Sequence, residues 1–192
     1  MQDFLSDPLE YWCRHLGEPQ PVVLAATRDA LSAWRQRPDQ VDANALADVA
    51  LRDPLMALRV LIEVAHRLGS RLSRPAQTVT AGLVLLGIEP FFRAFTDLPT
   101  LEEQLRDQPG ALAGALGLVA QSHRAARLAA AFAVHRQDED AETLRQAALL
   151  SHVTGLLLWA QAPLQAQVLA AREESHPLED PADAQRAVLG IQ

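Results

Sequence analysis

The chain contains no lysine: all 17 of its basic residues are arginine. That excludes Schiff-base chemistry on lysine, and it excludes a P-loop, whose lysine must reach the phosphates. A single cysteine, Cys13, excludes an internal disulfide and a thiolate-rich zinc site. Aromatic residues make up 5% of the chain, which leaves little material for base-stacking platforms or aromatic cages. The formal net charge of -7 argues against a nucleic-acid-binding face, because neutralising phosphates takes concentrated positive charge. Long apolar runs are missing too. The longest, near 81–87 and 111–120, fall well short of the roughly 20 residues a membrane span requires. No basic stretch followed by an apolar one opens the chain as a signal peptide would. These absences predict a soluble cytoplasmic protein with neither a nucleic-acid partner nor a membrane span.

What is present is apolar and helical. The 192 residues are 49% hydrophobic and 21% charged, enough to bury a core in one compact domain or two small lobes. Apolar residues recur at helical spacing, without strand alternation or a fixed-period repeat, so the expected fold is all-α. Asp53 and Pro54 open a helix over 53–69: the carboxylate caps free amides, and proline suits the first helical position. Gly69 sits where a helix ends in a left-handed residue. Further helices are expected over 76–86, stopped by Gly87, from Pro90 through Phe95, over 111–135 and over 141–160. The acidic run Asp138-Glu139-Asp140 precedes the last of these and opposes its dipole. Between 147 and 159 that helix is apolar nearly all round, the pattern of a buried central helix, and Pro163 closes it. A helix over 164–172, an acidic loop over 173–181 and a last helix into Val188 complete the chain. Pro99, Pro109 and the charged residues between 96 and 110 mark a lobe boundary, separating lobe 1–108 from lobe 109–192.

Few residues suggest chemistry. Ser151, His152 and Thr154 are polar groups in the otherwise apolar helix. Either they return hydrogen bonds within their own helix, or they line a pocket where helices meet. His123 lies beside Ser122 and shares a helix face with Arg127, with Arg124 between them. Two histidines on neighbouring helices without a nearby carboxylate make a poor site for iron, manganese or magnesium, which favour oxygen ligands as well. No metal and no cofactor is therefore expected. Arg59, Arg67, Arg71 and Arg74, with His66 among them, form either a solvated face or an anion-binding patch. Trp12, Trp34 and Trp159 read as core or inter-lobe packing. Ser122 and Ser151 lack a Gly-x-Ser-x-Gly setting, which argues against a serine hydrolase.

Four segments, in order, resemble the HDOD family, the bacterial output domains related to HD-type metal phosphohydrolases. They are LADVALRDPLMALRVLIEVA (46–65), AQTVTAGLVLLGIEPF (76–91), AALLSHVTGLLLW (147–159) and DAQRAVLGIQ (183–192). The resemblance spans about 19–192 and implies an HD-like helical bundle of two packed lobes. The His-Asp pair that names the HD superfamily falls on Ser151 and His152, and the histidine of the earlier helix falls on Gln121, before Ser122. An HD-type enzyme needs histidines and bridging carboxylates to hold its metals and make a hydroxide nucleophile. This chain supplies neither at the matching positions. The chain also stops where the family usually continues into another helix.

The resemblance thus implies a non-catalytic signalling module acting through a protein partner, with no catalytic residue. Its two lobes are expected to meet at a relic cleft near Gln121, Ser122, His123, Ser151 and His152. A metal-dependent phosphohydrolase with a rearranged ligand set, or an anion or nucleotide sensor using the arginine patch, are the competing readings. A homodimer is a further expectation, since a small all-α module this rich in alanine and leucine often covers a face with a second copy.

Overall fold

Local chemistry sets most of the helix boundaries in the computed structural model, which describes residues 7–17, 22–68 and 76–191. Helices α1 (Pro8–Gly17) and α2 (Ala25–Arg35) lead through a short 3-10 turn into α3 (Ala43–Ala50) and α4 (Pro54–Leu68). There follow α5 (Val79–Leu86), α6 (Ile88–Ala94), α7 (Leu101–Gln104) and the long α8 (Pro109–Arg136). The chain finishes with α9 (Ala141–Leu150), α10 (Val153–Gln161), α11 (Pro163–Ser175) and α12 (Pro181–Leu189). The fold is all-α; among the described residues the one β pairing is an isolated parallel bridge between Val23 and Thr100. Side-chain oxygens of Asp42, Thr78, Thr100 and Asp180 cap α3, α5, α7 and α12 by accepting backbone N–H groups of the first turn.

Several boundaries differ from the expectation. Thr78, as cap, delays α5 to Val79. Gly87, at φ 83°, takes a left-handed conformation that joins α5 directly to α6, so α6 starts at Ile88 and carries Pro90 in its first turn. Pro163 opens α11 rather than only closing its predecessor, and α11 runs on through Glu173 to Ser175. The proposed stop at Gly69 lies outside the described residues. The largest difference is at 141–160, which is two helices. The Ser151 hydroxyl donates to the Ala148 carbonyl at 2.8 Å, and His152, at φ -103° and ψ 9°, leaves the helical region before α10 begins. The apolar stretch therefore changes direction in its middle, and its polar residues turn outward: Ser151 and Thr154 are exposed and His152 is half-buried.

Three apolar clusters fill the interior. The first joins α2 to α6 through Leu31, Leu46, Met56, Val60, Leu83 and Phe91, and takes in Ala126 of α8 and Leu149 of α9. The second brings Val22 and Leu55 against Leu101, Ala111, Ala115, Leu156 and Ala160. The third gathers Trp12, Leu158, Ala166 and Leu189, with the Trp12 indole N–H donating to the Leu189 carbonyl at 2.9 Å. Trp34 and Trp159 also pack against these clusters, as the sequence reading expects.

One buried carboxylate links the first two clusters. Asp53, with no exposed surface, accepts the N–H groups of Leu55 (2.9 Å) and Met56 (3.2 Å) at the start of α4. Its other oxygen accepts the Leu24 N–H at 2.7 Å, and the Thr27 hydroxyl supplies a further hydrogen bond. The next residue up the chain from Leu24, Val23, bonds on both sides to the α7 entry: its N–H donates to Pro99 at 3.1 Å and its carbonyl accepts from Leu101 at 2.9 Å. Glu102 of α7 accepts the Ala25 N–H at 2.9 Å, and Glu103 pairs with Arg28 at 2.7 Å. The 22–28 segment, α4 and α7 are thus fixed to one another by polar contacts around a single side chain.

Burial pushes the Asp53 carboxyl above its ordinary value of 3.8, against the pull of the hydrogen bonds it accepts. A raised folded-state value means the carboxyl's contribution is complete below the ordinary value and is lost as pH rises through the raised one. The Asp53→Asn variant cannot titrate, so its stability should lack this dependence. Urea unfolding across a pH series should show wild type losing stability relative to the variant as pH increases.

Candidate functional site

Helices α8, α10, α11 and α12 enclose an open cleft of about 670 Å³, with Leu16 of α1 at its edge. Its walls are apolar: Leu118 from α8, Leu158 and Trp159 from α10, Leu169 from α11 and Leu189 from α12. Two glycines let the helices approach. A Cβ on Gly114 would lie 2.5 Å from the Trp159 ring, and one on Gly155 would lie 2.9 Å from the Leu118 methyl. The polar groups are Gln121, Ser151, His152, Thr154, Glu173 and Gln185.

The α9–α10 break ties the imidazole to its neighbour. The Ser151 hydroxyl lies 2.8 Å from the Ala148 carbonyl and 2.9 Å from His152 Nδ1. His152 Nε2 is the ring nitrogen left to meet a bound group.

The five residues expected at one cleft are divided three ways. Gln121, Ser151 and His152 do line it together. Ser122 is fully buried, with its hydroxyl unpartnered among the described residues. His123 lies instead in a second cavity with Arg127, and donates from Nε2 to the Arg52 carbonyl at 3.0 Å. The reason is helical geometry: at about 100° per residue, positions 121 and 123 of α8 point roughly 200° apart. Arg124 is exposed on the same helix.

Of the four arginines of the expected patch, two lie among the described residues. Arg67 pairs with Glu63 one turn earlier, which answers its charge within α4. Arg59 is half-buried, and burial pulls its guanidinium below the ordinary value. His66 is exposed, whereas Arg71 and Arg74 lie outside the described residues.

Three contributors to the cleft were not singled out from the sequence. Glu173 belongs to the end of α11, where the acidic loop was expected to begin. Gln185 comes from α12, and Gly114 is one of several small residues in α8 whose role shows only through Trp159.

The donor set does not fit the metal ions of an HD-type site. His152 and Glu173 are the cleft's two ligand-type side chains, and no group of three or more His, Cys, Asp or Glu able to hold a metal occurs among the described residues. No helix among them is long and apolar enough to cross a membrane.

The sequence model of the HDOD domain matches residues 24–192. The chain belongs to the HDOD domain family. No curated protein and no solved structure was found that matches it. Within this HDOD domain Ser151 and His152 stand at the α9–α10 break and line a cleft.

The Gly114–Trp159 contact shapes that cleft. A Gly114→Ala variant gains helix propensity of up to about 1 kcal/mol, yet must push the indole aside, at a cost of about 1–3 kcal/mol. Net destabilisation is expected in thermal unfolding, with a changed tryptophan emission spectrum. Ser151→Ala, at an exposed position, should leave the unfolding midpoint within about a degree or two.

Proposed function

We propose that this HDOD domain is a non-catalytic regulatory module that works in signalling by binding a partner protein through the α8–α10–α11–α12 cleft. The observation that carries this reading is the cleft's chemistry. Its walls are leucine and tryptophan, and its polar groups are scattered neutral donors and acceptors with one imidazole and one carboxylate. A site of that kind accepts apolar side chains and orients them with a few hydrogen bonds. It lacks the carboxylate and histidine set that would generate a hydroxide nucleophile. Exposed apolar side chains elsewhere on α8, Leu128 at 60% and Phe132 at 66% exposure, add further surface of the type that contact sites use.

Protein purified without chelator or affinity nickel should carry less than about a tenth of an equivalent of iron, manganese or zinc and leave nitrophenyl phosphates unhydrolysed. Near-stoichiometric metal, lost together with hydrolysis in a His152→Ala variant, would overturn the reading in favour of an enzyme. On the positive side, Gln121→Arg introduces a bulky charge at the cleft without touching a buried contact. It should abolish capture of the partner while leaving the unfolding midpoint unchanged.

A further inference from the structure

The second cavity, on the other side of α8, has a different chemistry. It measures about 270 Å³ and lies between α8, α9 and the end of α3. Leu51, Ala126 and Leu149 form its apolar lining, Arg127 and Arg145 supply its charge, and His123 adds a polar ring. No Asp or Glu lines it. Neither Arg127 nor Arg145 makes an ion pair among the described residues, although the chain as a whole carries -7. The amide of Gln146, which also borders the cavity, is already committed: it accepts the Val79 N–H at 2.6 Å and donates to the Gln77 carbonyl at 3.0 Å. His123 uses Nε2 on the Arg52 carbonyl, which orients the ring and leaves Nδ1 as its second polar atom.

We propose that this cavity binds a small phosphate monoester, with Arg127 and Arg145 holding the phosphoryl group, His123 beside it and the ester's organic part against Leu51, Ala126 and Leu149. Arg127 and Arg145, both exposed, border the cavity from two different helices, so an anion held there can take both guanidiniums. Their planar forks match phosphate oxygens better than any single point charge would. Two positive charges favour a dianion, and a phosphate monoester carries about -1.5 to -2 near neutral pH, whereas a simple carboxylate carries -1. The volume sits just below the roughly 300–1,000 Å³ of drug-sized sites, which suits a phosphorylated small molecule and not a dinucleotide. The site is separate from the cleft assigned to partner binding, and the inference stands whether or not that assignment holds.

Calorimetric titration of the full chain with phenyl phosphate, inorganic phosphate and benzoate tests the inference. Phenyl phosphate should bind at one site, more tightly than either of the others. Arg127→Gln and Arg145→Gln should each raise its dissociation constant by about tenfold or more, while Arg124→Gln, on the same helix but outside the cavity, should not. In the unaltered chain, the side-chain Nε–H signals of Arg127 and Arg145 should shift on titration, which keeps the test valid if a variant fails to fold. Absence of phenyl phosphate binding, binding no tighter than inorganic phosphate or benzoate, an equal loss in Arg124→Gln, or shifts confined to the cleft residues would each overturn it.

Discussion

The Asp53 carboxylate is the contact around which the rest of the molecule is arranged. Among the described residues it has no positive partner, and its oxygens are met by backbone N–H groups of two chain segments and by the Thr27 hydroxyl. Burying a charge this way is costly unless every lone pair is answered, so the side chain tolerates little displacement of Leu24, Leu55 or Met56. Through those residues it places Val22 and Leu55 in the same apolar cluster as Leu101, Ala115 and Leu156. The start of α4 thereby sets where α7, α8 and α10 come together. Because α8 and α10 are also two walls of the cleft, a polar contact buried at the far end of the core contributes to its shape.

The cleft itself depends on a helix that fails to continue. An uninterrupted helix over 141–160 would have buried its polar residues among leucines. The break at Ser151 and His152 turns these residues out instead, and the close glycine approaches of α8 and α10 leave an apolar trough beside them. At the break a serine hydroxyl and an imidazole lie within hydrogen-bond distance of each other. Neither needs a metal to account for its placement.

Much of the fold was legible because its signals are local. The Asp-Pro start of α4 and the all-helical periodicity each depend on a few neighbouring residues, and they appear in the structure as read. The family resemblance, carried by whole segments, was legible for the same reason. What could not be read depended on direction in space. An apolar run broken by Ser151 and His152 has nearly the composition of an unbroken one. Gln121, Ser122 and His123 are adjacent in sequence, yet helical rotation sends one to the cleft, one to the core and one to a separate cavity. Arg145 gave no signal at all: it borders the same cavity as Arg127 from a different helix, which no spacing within one helix reveals. Glu173 was hidden by its acidic neighbours, which suggested a loop two residues before α11 in fact ends.

Two sites on opposite flanks of α8 thus have opposite characters, one apolar and open, the other small and cationic. The account stands or falls on the claim that the first of them recognises apolar surface and has no catalytic metal chemistry. Paramagnetic broadening in a nitrogen-15 NMR spectrum, with Mn²⁺ added to about one equivalent, tests that claim at residue resolution. The account predicts weak broadening spread over exposed carboxylates such as Asp138, Glu139 and Asp140, with the signals of Gln121, Ser151 and His152 intact. Selective loss of those three signals at low Mn²⁺ would contradict it.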